Sequence, residues 1–323
     1  MLTNSTTTIT LEDLPPAPAH KTGWPWIEAN LALPPTMPDG KPYPKISIVT
    51  PSYNQGEFIE ETIRSVLLQS YPNLEYIVID GGSNDNSVEI IKKYEPWLTY
   101  WISEPDRGQA NAINKGFARA TGEIFAWLNS DDFYLPEALQ LIAERFGKER
   151  ETGALVGIGH KVDKAKNIIY TPPRGSQLNF ESFLNWRKSH FMQPSCFFTR
   201  EAWDTCGPLN ESLNYCLDVD LWLKISQKFK FDKLDRVLSY ATAHEQAKTT
   251  ATKHQASVET WLLIMEYGAK EIARRELMEL ADSLVNAERK IQKLTLHPLY
   301  KLVSPIYKSF QTIAQFLRQF IHR

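Results

Sequence analysis

Between residues 46 and 132 the chain alternates short apolar runs with apolar series at helical spacing, and this alternation limits the fold more than any other feature. Ile46-Ser47-Ile48-Val49-Thr50 reads as a strand ending at Pro51. Phe58, Ile59, Ile63, Val66 and Leu67 then predict a helix over 57–69, broken by Tyr71-Pro72-Asn73. Further strands are predicted over 74–80, 98–102 and 123–128, with helices over 87–94 and 109–120. Such alternation predicts a largely parallel α/β sheet flanked by helices. Right-handed crossovers bring the loops after the strands to one edge, where ligands bind.

The flanking segments read differently. Residues 1–44 are rich in Thr, Pro and Ala and predict an extended arm, with Trp24 and Trp26 pinning it to the main domain. The second half predicts a mixed extension: strands over 154–160, 168–170 and 197–199, and a helix over 219–229. The α/β domain is placed at 45–252 and a C-terminal helical extension at 253–323, with charged, helix-forming sequence over 271–294. The net charge of -2 supplies no field for nucleic acid, so none is expected as a partner. The three cysteines, Cys196, Cys206 and Cys216, match neither a zinc spacing nor a closed disulfide framework. The N-terminus shows no basic start followed by an apolar run, and no apolar stretch is long enough to span a bilayer. A cytoplasmic enzyme is therefore expected. Residues 299–323 combine Lys301, Lys308, Arg318 and Arg323 with Ile306, Phe310, Ile313, Phe316, Leu317 and Phe320 at helical spacing. This tail predicts a basic amphipathic helix and peripheral contact with the inner face of the plasma membrane, or docking on protein.

Carboxylates end two of the predicted strands: Asp80 the second, and Asp131 with Asp132 the fourth. Neighbouring strand ends let one carboxylate accept from a base or ribose hydroxyl and another hold a divalent cation through hard oxygen ligands. A turn or helix-cap function is the competing reading for each, and for Asp132 that cap would precede Pro136.

The run ISIVTPSYNQGEFIEETIRSVLLQSYPNLEYIVIDGGSNDNSVEII and the later ISEPDRGQANAINKGFARATGEIFAWLNSDDFYLPEAL resemble family 2 glycosyltransferases of the GT-A fold. The likeness covers about 45–240. It implies transfer of a sugar from a nucleotide-diphosphate donor to a saccharide or lipid-linked acceptor, with inversion, in bacterial polysaccharide or glycolipid assembly. It places Pro51, Tyr53, Asn54, Asp80, Arg107 and Ser130 around the nucleotide. It assigns a divalent cation, Mg2+ or Mn2+, to Asp131, with His244 completing the shell. The family's Asp-x-Asp begins with Asn129 here, so one carboxylate fewer is available. The acidic run at 216–223 implies Asp218 as the base, with Asp220 the alternative. Gln193 and Trp222 are implied on the acceptor side, Trp222 by stacking on a sugar unless it packs in the core.

Two other classes remain open at this stage. A nucleotidyltransferase would carry a basic, Gly-rich phosphate loop after the first strand, whereas Pro51-Ser52-Tyr53-Asn54-Gln55-Gly56 has no Lys or Arg. A non-catalytic nucleotide-sugar-binding module on a degenerate transferase fold is favoured by Asn129 and opposed by Asp80, Asp131 and Asp218.

Overall fold

The computed structural model describes residues 9–148, 151–245, 247–248 and 253–296. The chain divides after Leu263 into two compact units. The first unit is built on a sheet running β3-β2-β1-β4-β8-β6-β9-β5, with β7 paired to β6. β1 (Ile46–Ser52), β2 (Leu74–Asp80), β3 (Tyr100–Ser103) and β4 (Ile124–Trp127) form its parallel part. α1 (Ile59–Leu67), α2 (Ser87–Tyr94) and α3 (Gln109–Phe117) connect them.

Both faces of this part are covered, which is why its strands are apolar almost throughout. Ile48, Tyr76 and Val78 join α1 and α2 in one core through Ile59, Ile63, Ile90 and Ile91. On the opposite face α3 lies so close to β1 that a Cβ on Gly116 would stand 2.4 Å from Val49 Cγ1. Phe117 stacks on Phe125 at 5.1 Å.

Beyond β4 the sheet becomes mixed. β5 (Asp132–Tyr134) pairs antiparallel with β9 (Lys230–Thr242), and β6 (Thr152–Val162) lies parallel to β9. β7 (Ile168–Tyr170) is a hairpin partner of β6, and β8 (Cys196–Thr199) joins β6 to β4. α4 (Ala138–Lys148), α5 (Phe180–Leu184), α6 (Trp186–Ser189), α7 (Arg200–Cys206) and α8 (Leu217–Ser226) complete this half. The division falls within α9 (Lys253–Glu266). α10 (Lys270–Leu296) forms most of the described part of the second unit.

The arm has no regular secondary structure over its described residues, yet it is fixed to the domain. Arg64 of α1 is buried, and its guanidinium donates to the carbonyls of Pro15 (2.8 Å), Pro25 (3.0 Å) and Trp26 (3.0 Å). Trp24 Nε1 donates to the Tyr134 carbonyl at 2.7 Å. The tail at 299–323, expected to meet the membrane, lies outside the described residues. Among the described residues no helix is long and apolar enough to cross a membrane.

Candidate active site

The C-terminal ends of β1 and β2 are adjacent, with Ser52 opposite Asp80 in the ladder. Asp80 is buried, and its carboxylate accepts from Gly82 N (3.1 Å), Ser83 N (2.9 Å), Ser83 Oγ (2.5 Å) and Ser103 Oγ (2.6 Å). Three of these donors meet Oδ2 and one meets Oδ1, so Oδ1 keeps capacity to accept from a base or ribose. Gly82 takes φ +80°, the conformation that turns its N–H toward Asp80. The loop after β1 is tied to the loop after β2. Asn54 N donates to Ser83 Oγ (2.8 Å), Asn54 Oδ1 accepts from Asn84 N (2.9 Å), and Gln55 N donates to Ser87 Oγ (2.9 Å). Pro51 is buried in β1, whereas Tyr53 is 59% exposed and offers its ring at the mouth.

The end of β4 carries the second cluster. Asp131 Oδ2 lies 2.9 Å from His244 Nε2, although 113 residues separate them. His244 is buried and stacks on Phe58 at 4.3 Å. Its ring is thus held in one orientation with one nitrogen directed at the carboxylate. Ser130 is buried beside them. Asp132 is a strand residue of β5 rather than a helix cap: it pairs with Ala241, and its carboxylate accepts from Asn129 Nδ2 (3.1 Å) and Thr242 N (3.3 Å). Burial first, and the charge of Asp131 second, push Asp132 well above the usual carboxylate range.

A line of amides runs from this cluster. Gln193 Nε2 donates to the Trp127 carbonyl (2.9 Å), and Asn129 Nδ2 approaches Gln193 Oε1 (3.4 Å). Gln109 Nε2 donates to Asn129 Oδ1 (2.7 Å). Gln109 carries no motif signal; only its place at the start of α3, facing the end of β4, brings it in.

Arg107 is 76% exposed on its side chain and pairs with Glu211 at 2.7 Å. Glu211 also accepts from Asn111 (3.0 Å) and Asn114 (3.3 Å). Donation from Asn111 and Arg107 holds its carboxyl down at about 2. The guanidinium would have to leave Glu211 to meet a phosphate. Glu211 lies 104 residues from Arg107, and no local pattern announces the pair.

The two acidic residues of α8 differ sharply. Asp220 is buried and bonded to Lys224 Nζ at 2.7 Å, one helical turn along. Asp218 is half-buried and accepts from Val219 N at 2.9 Å, and among the described residues no cation pairs with it. Burial raises its carboxyl to about 6. Trp222 requires a correction. It is fully buried, stacked on Trp127 at 5.5 Å and packed against Phe191 and Phe198, so it has no face for an acceptor sugar. Four residues after Asp218 it shares that residue's helix face, but one turn deeper, inside the aromatic core.

Among the described residues no three His, Cys, Asp or Glu side chains converge as a metal cage. Asp131 and His244 present one carboxylate and one imidazole side by side. That donor pair suits a hard or borderline divalent cation whose other ligands come from substrate phosphate and water.

Carboxylates thus stand at the end of β2, just after β4 and in the first turn of α8, all within one α/β unit. Residues 47–207 match the model of glycosyl transferase family 2, and the chain belongs to that family. A chondroitin synthase of Pasteurella multocida is 28% identical over 204 residues, which cover 62% of this chain and 21% of that protein. The chain thus spans about a fifth of that relative's length. The fold, GT-A, is shared with Staphylococcus aureus TarS 1-349 in complex with UDP-GlcNAc (TM-score 0.57, 18% identity, 72% of this chain and 71% of that one). It is shared too with a mannosyltransferase from Pyrobaculum calidifontis in complex with GDP-Man and Mn2+ (TM-score 0.53, 18% identity, 80% and 82%).

Proposed function

We propose that this protein transfers a sugar from a nucleoside-diphosphate donor to a hydroxyl of a saccharide or lipid-linked acceptor, with inversion, in bacterial polysaccharide or glycolipid assembly. The observation that carries the reading is the pairing of Asp131 with His244 just after β4, together with the carboxylate of Asp218 in the first turn of α8. The nucleoside lies over Pro51, Tyr53 and Asn54, with Tyr53 offering its ring to the base and Asp80 shaping the loop beneath. Asp131 and His244 would hold Mg2+ or Mn2+, which would supply charge neutralisation for a departing diphosphate. Gln193 lies between this point and the acceptor side. Asp218 takes the proton of the acceptor hydroxyl as its oxygen attacks the anomeric carbon. The glycosidic bond forms as the carbon–phosphate oxygen bond breaks, and the nucleoside diphosphate leaves with the electron pair. A carboxylate raised to about 6 is a stronger base than an exposed one and is still mostly ionised at pH 7.5.

Support comes also from the related proteins that bind UDP-GlcNAc, or GDP-Man with Mn2+. The test is release of nucleoside diphosphate from a panel of UDP- and GDP-sugars with Mn2+, Mg2+ or chelator. Asp218→Asn is expected to lower kcat by about 10²- to 10⁴-fold with little change in donor KM. Metal-independent release, or full turnover by Asp218→Asn, would overturn the reading.

A further inference from the structure

α8 begins without a cap of its own. Cys216 stands at the cap position, and its side chain makes no capping bond. The backbone donors of the turn leading into the helix, from Asn214 to the cap residue Cys216, need acceptors. Glu259 of α9 supplies them from 43 residues away: its carboxylate accepts from Asn214 N (2.9 Å), Tyr215 N (2.6 Å) and Cys216 N (3.0 Å). Lys248 Nζ reaches the Asn214 carbonyl of the same turn at 3.3 Å. A carboxylate here also opposes the positive end of the α8 dipole. Asp218 follows two residues after this clamp, in the first turn of α8. The family match ends at residue 207, so the turn, α8 and Glu259 all lie beyond it.

We propose that Glu259 is a positioning residue for catalysis, fixing the start of α8 so that Asp218 faces the acceptor hydroxyl. This rests on Asp218 being the base. The helix after the transferase sheet then belongs to the catalytic apparatus, although it touches no donor. The geometry is selective: three N–H groups converge on one side chain, so loss of that charge frees the turn carrying the base and leaves Asp131, His244 and the nucleotide loops intact. A displacement of about 1 Å at a reacting group can cost about 10²-fold in rate. Asp218 acts electrostatically on the Cys196 thiol of β8 and the Cys216 thiol of its own turn; burial pushes both upward, so both stay neutral. Loosening the turn admits water to Asp218 and lowers its carboxyl toward the ordinary range.

The experiment compares wild type, Glu259→Gln, Glu259→Asp and Asp218→Asn in nucleoside-diphosphate release from whichever of UDP-glucose, UDP-N-acetylglucosamine, UDP-glucuronate and GDP-mannose turns over fastest. Glu259→Gln is expected to lower kcat at least tenfold, leave donor KM within twofold, and move the acid limb of the kcat profile to lower pH. Glu259→Asp is expected to recover part of the rate. Wild-type kcat and an unmoved acid limb in Glu259→Gln would overturn the inference while leaving the base assignment standing. Full activity in Asp218→Asn, or turnover of none of the four donors, would overturn the assignment itself. Hydrogen exchange on the wild-type chain serves if Glu259→Gln does not fold: protected amides at 214–216 are expected, and rapid exchange there would sink the clamp.

Discussion

At the scale of single residues, Asn129 explains itself through its neighbours. The Trp127 carbonyl can only accept, so Gln193 must turn Nε2 toward it and present Oε1 to Asn129. Asn129 must then present Nδ2 to Gln193 and to Asp132, leaving Oδ1 for Gln109. A carboxylate at position 129 would oppose both Gln193 Oε1 and the Asp132 carboxylate. Asn129→Asp is therefore expected to destabilise the fold by about 1–3 kcal/mol in urea denaturation, instead of restoring a better metal site. An unchanged midpoint with tighter Mn2+ binding would count against this. Asp218 gives the pH dependence: a base must be ionised, and its carboxyl is raised to about 6. Between pH 5.5 and 4.5, kcat should fall about tenfold per pH unit, and a flat profile there would exclude it as the base. Asp131, Asp218 and His244 were candidates from the sequence because each stands in a recognisable string. Gln109, Glu211 and Glu259 were not, because each enters through a contact from a distant element.

At the scale of elements, Glu75 joins three pieces of the parallel sheet. It lies on β2, accepts from Ser47 Oγ of β1 at 2.5 Å, and accepts from Thr121 N (2.6 Å) and Thr121 Oγ1 (2.7 Å) just before β4. Lys45 Nζ pairs with it at 2.8 Å. Burial alone would raise Glu75, but bonds from Lys45, Ser47 and Thr121 outweigh it and hold the carboxyl at about 2. A depressed carboxyl stabilises the fold above its unfolded value, about 4.3, and loses that contribution as pH falls toward 2. Glu75→Gln should cost about 3 kcal/mol at pH 7 and flatten the acid limb of the stability profile over that window. An acid limb unchanged from wild type would show that Glu75 carries no such linkage. The parallel strands were legible because burial on both faces makes them continuous apolar runs. β9 was not. Its residues 230–236 include Lys230, Asp232, Lys233, Asp235 and Arg236, and register shifts against β6 break its alternation. α5, α6 and α7 are too short to leave a periodic trace.

At the scale of the whole molecule, the first compact unit runs past the boundary expected at 252, to Leu263. α9 is helical in composition like the extension, yet bonds the turn before α8. The N-terminal arm is likewise part of this unit. Deleting residues 1–30 would leave Arg64 buried without its three carbonyl acceptors and remove Trp24 and Trp26 from the core. That is expected to cost about 3–5 kcal/mol and to lower Tm by several degrees in thermal denaturation; an unchanged Tm would show the arm to be dispensable.

The docking of Trp24 also sets an order of events during synthesis. Its acceptor, the Tyr134 carbonyl, and its second partner, Lys166 Nζ at 2.6 Å from the Trp24 carbonyl, are made more than a hundred residues later. The segment around Trp24 therefore waits, without its partners, while its seat is still being translated.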